Sequence, residues 1–319
     1  MTKYLRDIIP PLLQPNGHIQ TIVPALFRKV LGFDYCRERI NTPDGDFLDL
    51  DWGLRTNNNL LIICHGLEGN SSKSYVKGMA KYFYEKGWNV LAWNYRGCSD
   101  EVNLKIRFYH SGATDDLDTV INHVADNYNF TKIHLLGFSL GGNLVLKYLG
   151  ERGASVMKNI HKAIGISVPT DLYASCSKLS RGFNHIYGLR FLNQLKDKVK
   201  KKSKYFPDDF NISSLKKIRR LIDFDDSITA PIHGFDNALH YYDQCSAQRF
   251  LMNIKIPTLI INAKNDPFLA PSCYPEGDLK RHPFVELITP TNGGHCGFAD
   301  RELVNGYWSE TLAWNYMNR

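Results

Sequence analysis

Residues 131–150, "TKIHLLGFSLGGNLVLKYLG", decide the fold. An apolar run over Lys132 to Phe138 ends in Gly-Phe-Ser-Leu-Gly-Gly, and a helix-like pattern follows at once. A buried strand, a sharp turn and a helix are the setting of a nucleophile elbow. There a serine is held in a strained backbone conformation, and the residues two positions away on both sides must be small. Gly137 and Gly141 meet that requirement. A Gly-x-Ser-x-Gly match alone arises by chance in roughly one chain in ten of this length. The setting, more than the pattern, makes Ser139 a candidate nucleophile.

Working outward from that stretch, the chain alternates strand and helix signals. "LLIIC" (60–64) is a short, fully buried strand of the kind parallel sheets require, and "WNVLAW" (88–93) and "KAIGISV" (162–168) read the same way. Helices are predicted over 74–87, stopped by Gly87, and over 113–127. "INTPDGDFLDLDWG" (40–53) predicts a hairpin, with Pro-Asp-Gly-Asp as the turn and Leu48, Leu50 and Trp52 alternating with Asp49 and Asp51. From about Asp171 to Ser246 strand signals vanish, and residues 256–266 and 283–294 restore them. Leu303, Val304, Tyr307, Trp308, Leu312 and Tyr316 form a helical stripe in the tail. The alternation predicts one α/β domain over residues 1–319, with a mainly parallel, doubly wound sheet and a helical insertion at about 171–250. The insertion is expected over the carboxyl ends of the strands, where such sheets bind ligands.

With 43% hydrophobic and 22% charged residues in 319, the chain can bury a core without metals or disulfides. The seven cysteines are scattered, the nearest two 23 residues apart, and no Cys-x-x-Cys occurs. Zinc ribbons and dithiol redox sites therefore have no support. An odd count, with Cys64 inside an apolar run, predicts reduced thiols in a cytoplasmic setting. The opening "MTKYLRDIIPPLLQPN" is broken by Arg6, Asp7 and prolines and makes a poor signal peptide. No apolar run approaches the roughly 18 residues of a spanning helix. The net charge of +7 gathers partly in "LKDKVKKKSKYF" (195–206), where six of twelve residues are lysine. A solvated helix face is expected there, with peripheral contact to anionic lipid through Lys196–Lys204 as the alternative. No nucleic-acid recognition motif accompanies the charge.

A serine hydroxyl needs a general base oriented by a carboxylate, and on this kind of fold the chain order is serine, acid, histidine. Six histidines follow Ser139. His295, in "TNGGHCGF" directly after the last predicted strand, reaches the carboxyl edge. His282 precedes that strand and belongs at the opposite edge, while His185, His233 and His240 lie in the insertion. Asp266 in "INAKNDPF" follows the penultimate strand and is the expected acid; Asp278 lies further on, where a solvated carboxylate is expected. Backbone N–H donors for an oxyanion come from the residue after the nucleophile and from the loop after the third strand, here Leu140 and Leu67. Cys64–His65 is rejected as a metal or Cys-His site, because Cys64 ends a buried strand and no ligand cluster joins it. Nothing in this chemistry calls for a cofactor or metal.

With these residues placed, the sequence resembles the α/β-hydrolases, and more narrowly the YheT-like branch related to the eukaryotic ABHD lipid hydrolases. "NGHIQT" (16–21), "HGLEGNSSKSY" (65–75), "NYRGCSD" (94–100), "YHSG" (109–112), "GFSLGGN" (137–143), "FDDSITAPIHGF" (224–235), "AKNDPF" (263–268) and "GGHCGF" (293–298) carry the resemblance. It implies an α/β-hydrolase fold with an eight-stranded type of sheet and a helical lid. It also implies esterase activity on a small-molecule acyl ester through an acyl-enzyme, with Ser139, Asp266 and His295 as the triad. Asp100 departs from the glycine usual after "RGCS". An acyltransferase using the same triad and a non-catalytic ligand-binding homologue are the alternatives. "NGHIQT" and "FDDSITAPIHGF" have no role derivable from sequence, beyond Asp225 and Asp226 pinning the lid. Tyr173, Phe183, Tyr187, Phe191 and Phe206 suit an apolar acyl pocket.

Overall fold

Short apolar runs pair into one eight-stranded sheet: β1 (Cys36–Asn41), β2 (Phe47–Gly53), β3 (Asn59–Cys64), β4 (Asn89–Asn94), β5 (Lys132–Phe138), β6 (Ile160–Ile166), β7 (Thr258–Ile261) and β8 (Val285–Ile288). The computed structural model describes residues 5–303 and 306–319. The strand order is β1-β2-β4-β3-β5-β6-β7-β8. β2 is antiparallel to both neighbours, and every pairing from β4 to β8 is parallel.

Helices cover both faces. In chain order they are α1 (Gly17–Phe27), α2 (Ser74–Glu85), α3 (Thr114–Asn127), α4 (Leu140–Arg152), α5 (Leu172–Leu179), α6 (His185–Lys202), α7 (Leu221–Phe224), α8 (Ala230–Ile232), α9 (Ala238–Cys245), α10 (Glu276–Leu279) and α11 (Trp308–Met317). Leu60, Ile62, Leu91 and Leu135 pack on one face with Leu117 of α3 and Leu144 of α4. Leu61, Ile63, Val90 and Leu136 pack on the other with Met79 of α2 and Leu312 of α11. Burial on both faces is why these strands read as continuous apolar runs. Helices α5 to α9 lie between β6 and β7 and share a third core, in which Leu192, Leu195, Val199 and Phe224 meet Phe108 and Phe268.

In β2, Asp49 and Asp51 are buried together with the apolar residues they alternate with. Arg39 and Arg37 of β1 grip the two carboxylates with paired bonds of 2.7 and 2.9 Å, and of 2.8 and 2.9 Å. The C-terminal helix starts at Trp308, because the Tyr307 N–H donates to Glu310 Oε2 at 2.7 Å and so begins the first turn. Leu303 precedes that helix, while Val304, like the opening Met1–Tyr4, lies outside the described residues. The lysine run is not a uniformly solvated face. Lys202 falls on the Leu192–Leu195–Val199 stripe and donates to Asn103 Oδ1 at 2.6 Å. Lys198 reaches Glu68 at 2.9 Å, and Lys196 donates to the Ile218 carbonyl at 2.6 Å. Of the six, only Lys200, Lys201 and Lys204 are exposed.

Asp100 sits at the surface in an ion pair with Arg37 at 3.2 Å. All seven cysteines are unbridged. Among the described residues no helix is long and apolar enough to cross a membrane.

Candidate active site

Ser139 stands between β5 and α4 with φ 53° and ψ −118°. That region is costly for a residue with a Cβ, by about 1–3 kcal/mol. The surroundings enforce it: the Ser139 N–H donates to the Ile166 carbonyl at 2.8 Å. The next turn packs so tightly that a Cβ on Gly141 would lie 2.4 Å from the Cys64 carbonyl oxygen.

Asp266 and His295 follow β7 and β8, at the same edge of the sheet. His295 Nε2 lies 2.9 Å from Ser139 Oγ, and His295 Nδ1 lies 2.9 and 3.1 Å from the two Asp266 oxygens. The Asp266 side chain is fully buried, and its Oδ1 also accepts the Phe268 N–H at 2.8 Å. Burial opposes the imidazolium of His295, but the Asp266 carboxylate beside it prevails and raises the pKa above the ordinary histidine value. Phe268 stacks on the imidazole with centroids 4.1 Å apart. The three residues singled out in the sequence are thus brought together. Their rivals are not: Asp278 is exposed on α10, and His282 lines a cleft at the opposite edge with Lys162 and Pro257.

The loop after β3 brings Leu67 to the cavity that Leu140 and Ser139 line. Among the described residues neither the Leu67 nor the Leu140 N–H donates to another protein group. The loop is held on both sides of Leu67. Gly66 N–H donates to Tyr75 Oη at 3.0 Å, and Glu68 N–H to Tyr109 Oη at 2.8 Å. The Glu68 carboxylate accepts from Tyr109 Oη at 2.7 Å and pairs with Lys198 of α6 at 2.9 Å. Tyr75 and Tyr109 lie within "HGLEGNSSKSY" and "YHSG", but their hold on the loop had no signal in the sequence, and Lys198 reaches it from the distant α6. Burial pushes the Cys64 thiol up to about 12 and the His65 imidazole down to about 3. His65 is therefore a neutral ring that braces the loop: Nδ1 donates to the Gly66 carbonyl at 2.8 Å, and Nε2 accepts the Tyr95 N–H at 3.3 Å.

A family model described as the alpha/beta hydrolase fold matches residues 59–302. The chain belongs to the α/β-hydrolase family. It is 35% identical to YheT of Escherichia coli (strain K12), over 94% of this chain and 89% of that one. It is 30% identical to the phospholipase ABHD3 of Mus musculus, over 94% of this chain and 73% of that one. With the monoacylglycerol lipase of Saccharomyces cerevisiae it shares 31% identity, over 79% of this chain and 58% of that one. Among solved structures, the Pyrococcus furiosus esterase Pf2001 superposes with a TM-score of 0.53 at 19% identity, covering 84% of this chain and 90% of that one. The latter likeness is one of fold.

Two cavities meet at Ser139 and His295, with Leu67, Phe191 and Phe268 common to both. One, of about 110 Å³, runs beneath the inserted helices between Leu140, Leu172, Leu179 and Leu195 and reaches Asp225 and Tyr242. The other, of about 190 Å³, lies between α1 and α6 and is lined by Ile22, Leu26, Tyr187 and Arg190. Of the five aromatic residues expected around an acyl pocket, Tyr187 and Phe191 line these cavities and Phe206 packs in the core of the insertion. Tyr173 and Phe183 are exposed.

"FDDSITAPIHGF" turns through a π-helical stretch at Asp225–Thr229. Asp225 accepts from Tyr242 Oη at 2.5 Å and Thr229 Oγ1 at 2.7 Å, and Asp226 accepts the Ala238 N–H at 3.0 Å. Both aspartates pin the insertion. Burial raises the Asp225 pKa to about 6 against those two hydrogen bonds.

Proposed function

We propose that the protein is a cofactor-independent serine hydrolase of carboxylic acyl esters, with Ser139 as nucleophile, His295 as general base and Asp266 as the orienting acid. The observation that carries this reading is the unbroken chain from Ser139 Oγ through His295 to Asp266, with contacts of 2.9 Å on both sides of the ring. In acylation Ser139 Oγ attacks the ester carbonyl carbon while its proton passes to His295 Nε2. The bond to the alcohol oxygen then breaks, and His295 returns that proton to the departing alkoxide. Water repeats the sequence on the acyl-enzyme and frees the carboxylic acid. Asp266 accepts the hydrogen bond of the Nδ1–H without taking its proton, fixing the tautomer and stabilising the imidazolium. The Leu67 and Leu140 N–H groups receive the oxyanion, and such a donor contributes about 2.7–4 kcal/mol to lowering the barrier.

The inserted helices act as a lid over the smaller cavity, which takes the acyl chain; its apolar walls suit that role. The alcohol portion leaves through the larger one. Named relatives that are lipases and phospholipases favour a small-molecule lipid ester over a peptide. A fluorophosphonate probe is expected to label wild-type protein at Ser139, and Ser139→Ala to lose both labelling and turnover of p-nitrophenyl esters. Undiminished turnover by Ser139→Ala overturns the assignment.

A further inference from the structure

The motif "NGHIQT" is left without a part in that chemistry, yet it forms the start of α1 and lies against both loops that carry Asp266 and His295. Asn16 caps the helix, accepting the Ile19 N–H at 3.1 Å. Gln20 is buried and its amide is fully used. Nε2 donates to the Gln14 carbonyl at 2.9 Å and to Asn292 Oδ1 at 3.2 Å, while Oε1 accepts from Asn265 Nδ2 and from the Gly293 N–H, both at 2.8 Å. Asn265 is the neighbour of Asp266, and Gly293 lies two residues before His295. One side chain therefore ties the two loops together. Asn265 Oδ1 adds a direct link by accepting the Gly294 N–H at 3.0 Å.

Thr21 completes the bracket. Its Oγ1 donates to the Gly17 carbonyl at 2.6 Å and accepts the His295 N–H itself at 2.9 Å. The helix fits here only because position 17 lacks a side chain: a Cβ there would stand 1.9 Å from the Asn265 carbonyl oxygen. On its outer side, His18 Nδ1 lies 3.1 Å from Tyr187 Oη of α6. Tyr187 packs on Phe268 at 4.8 Å, and Phe268 stacks on His295.

We propose that Gln20 and Thr21 are positioning residues of the reaction: α1 is a bracket that holds the Asp266 and His295 loops in register, so that His295 Nε2 meets Ser139. The inference rests on the serine-hydrolase reading above. A buried amide with four partners on three segments is an arrangement that an ordinary helix–loop contact does not need. The loops that it joins have little regular structure of their own to fix the histidine, and displacement of a catalytic group by about 1 Å costs on the order of 10²-fold in rate.

The test compares Gln20→Ala, Thr21→Val and the conservative Thr21→Ser in the full-length chain. Thr21→Val keeps the shape and removes the oxygen that accepts the His295 N–H, so it covers the case in which Gln20→Ala fails to fold. Turnover of a p-nitrophenyl ester is measured alongside circular dichroism, with wild type and Ser139→Ala as controls for the underlying reading. Gln20→Ala and Thr21→Val are expected to lower kcat by roughly 10- to 100-fold with KM within about 2-fold, and Thr21→Ser to restore the wild-type value. In a His295→Ala background, whose residual rate no longer depends on the imidazole, Thr21→Val is expected to change nothing further. A folded Thr21→Val protein with wild-type kcat overturns the proposal, as does an equal loss in the His295→Ala background. If instead Ser139→Ala is active, the serine-hydrolase reading fails, a result separate from these.

Discussion

The pair formed by Lys198 and Glu68 joins the inserted helix α6 to the loop that presents Leu67, and Lys198→Met tests what it does. Lys198 Nζ lies 2.9 Å from Glu68 Oε1, 3.0 Å from Cys98 Sγ and 4.6 Å from the centre of the Tyr109 ring. The two side chains are only 13% and 9% exposed, so the charges are not screened as a surface pair would be. Methionine keeps the length of the side chain and removes its charge, leaving the Glu68 carboxylate buried without its cation. Breaking a buried pair from one side costs about 3–5 kcal/mol, against about 0–1 kcal/mol for an exposed pair. The loss is expected in full in urea unfolding, and ester turnover falls with it as the loop at Leu67 relaxes. Glu68→Gln in the same chain is expected to recover most of the stability, because no charge is then left unpaired. A cost below about 1 kcal/mol for Lys198→Met refutes the reasoning and returns Lys198 to the solvated face expected from the sequence.

Asp266→Asn is expected to lower kcat by about 10⁴-fold through loss of the correct tautomer. The sign of its pH effect follows from the raised pKa of His295. Protonated His295 is inactive as a base, so the acid limb of kcat/KM in wild type lies above the ordinary histidine range. In Asp266→Asn it moves down toward that range, and an unmoved limb contradicts the pairing. Asp225 binds its proton more tightly when folded, with a pKa raised from 3.8 to about 6, so its burial subtracts stability as pH rises across that interval. Asp225→Asn is therefore expected to gain on wild type by up to roughly 3 kcal/mol between about pH 4 and pH 7 in urea unfolding. A pH-independent difference contradicts this.

The sheet and the three residues that meet at its edge were legible because each rests on local pattern. Buried strands gave apolar runs, and Ser139 follows β5 directly while Asp266 and His295 lie in the loops after β7 and β8, which places all three at one sheet edge. What stayed hidden depends on partners far along the chain. The burial of Asp49 and Asp51 depends on Arg37 and Arg39 of the neighbouring strand, which cover them. Lys202 sits at helical spacing from Leu195 and Val199, a hint outweighed by the charge of its neighbours. Gln20 meets Asn265 and Gly293 across 245 and 273 residues, a separation at which no spacing rule operates. Oxyanion donors are backbone groups, and sequence can locate them only through the loop that contains them.

The central claim, that Ser139 carries the acyl group, is tested most directly by acid-quenching the protein during p-nitrophenyl ester turnover and mapping its tryptic peptides by mass. The peptide over residues 133–147, "IHLLGFSLGGNLVLK", contains a single serine, Ser139. The account predicts that this peptide gains the acyl group and loses one hydrogen, and that the adduct is absent from Ser139→Ala together with turnover. An unmodified peptide, with Ser139→Ala turning over ester at the wild-type rate, contradicts it.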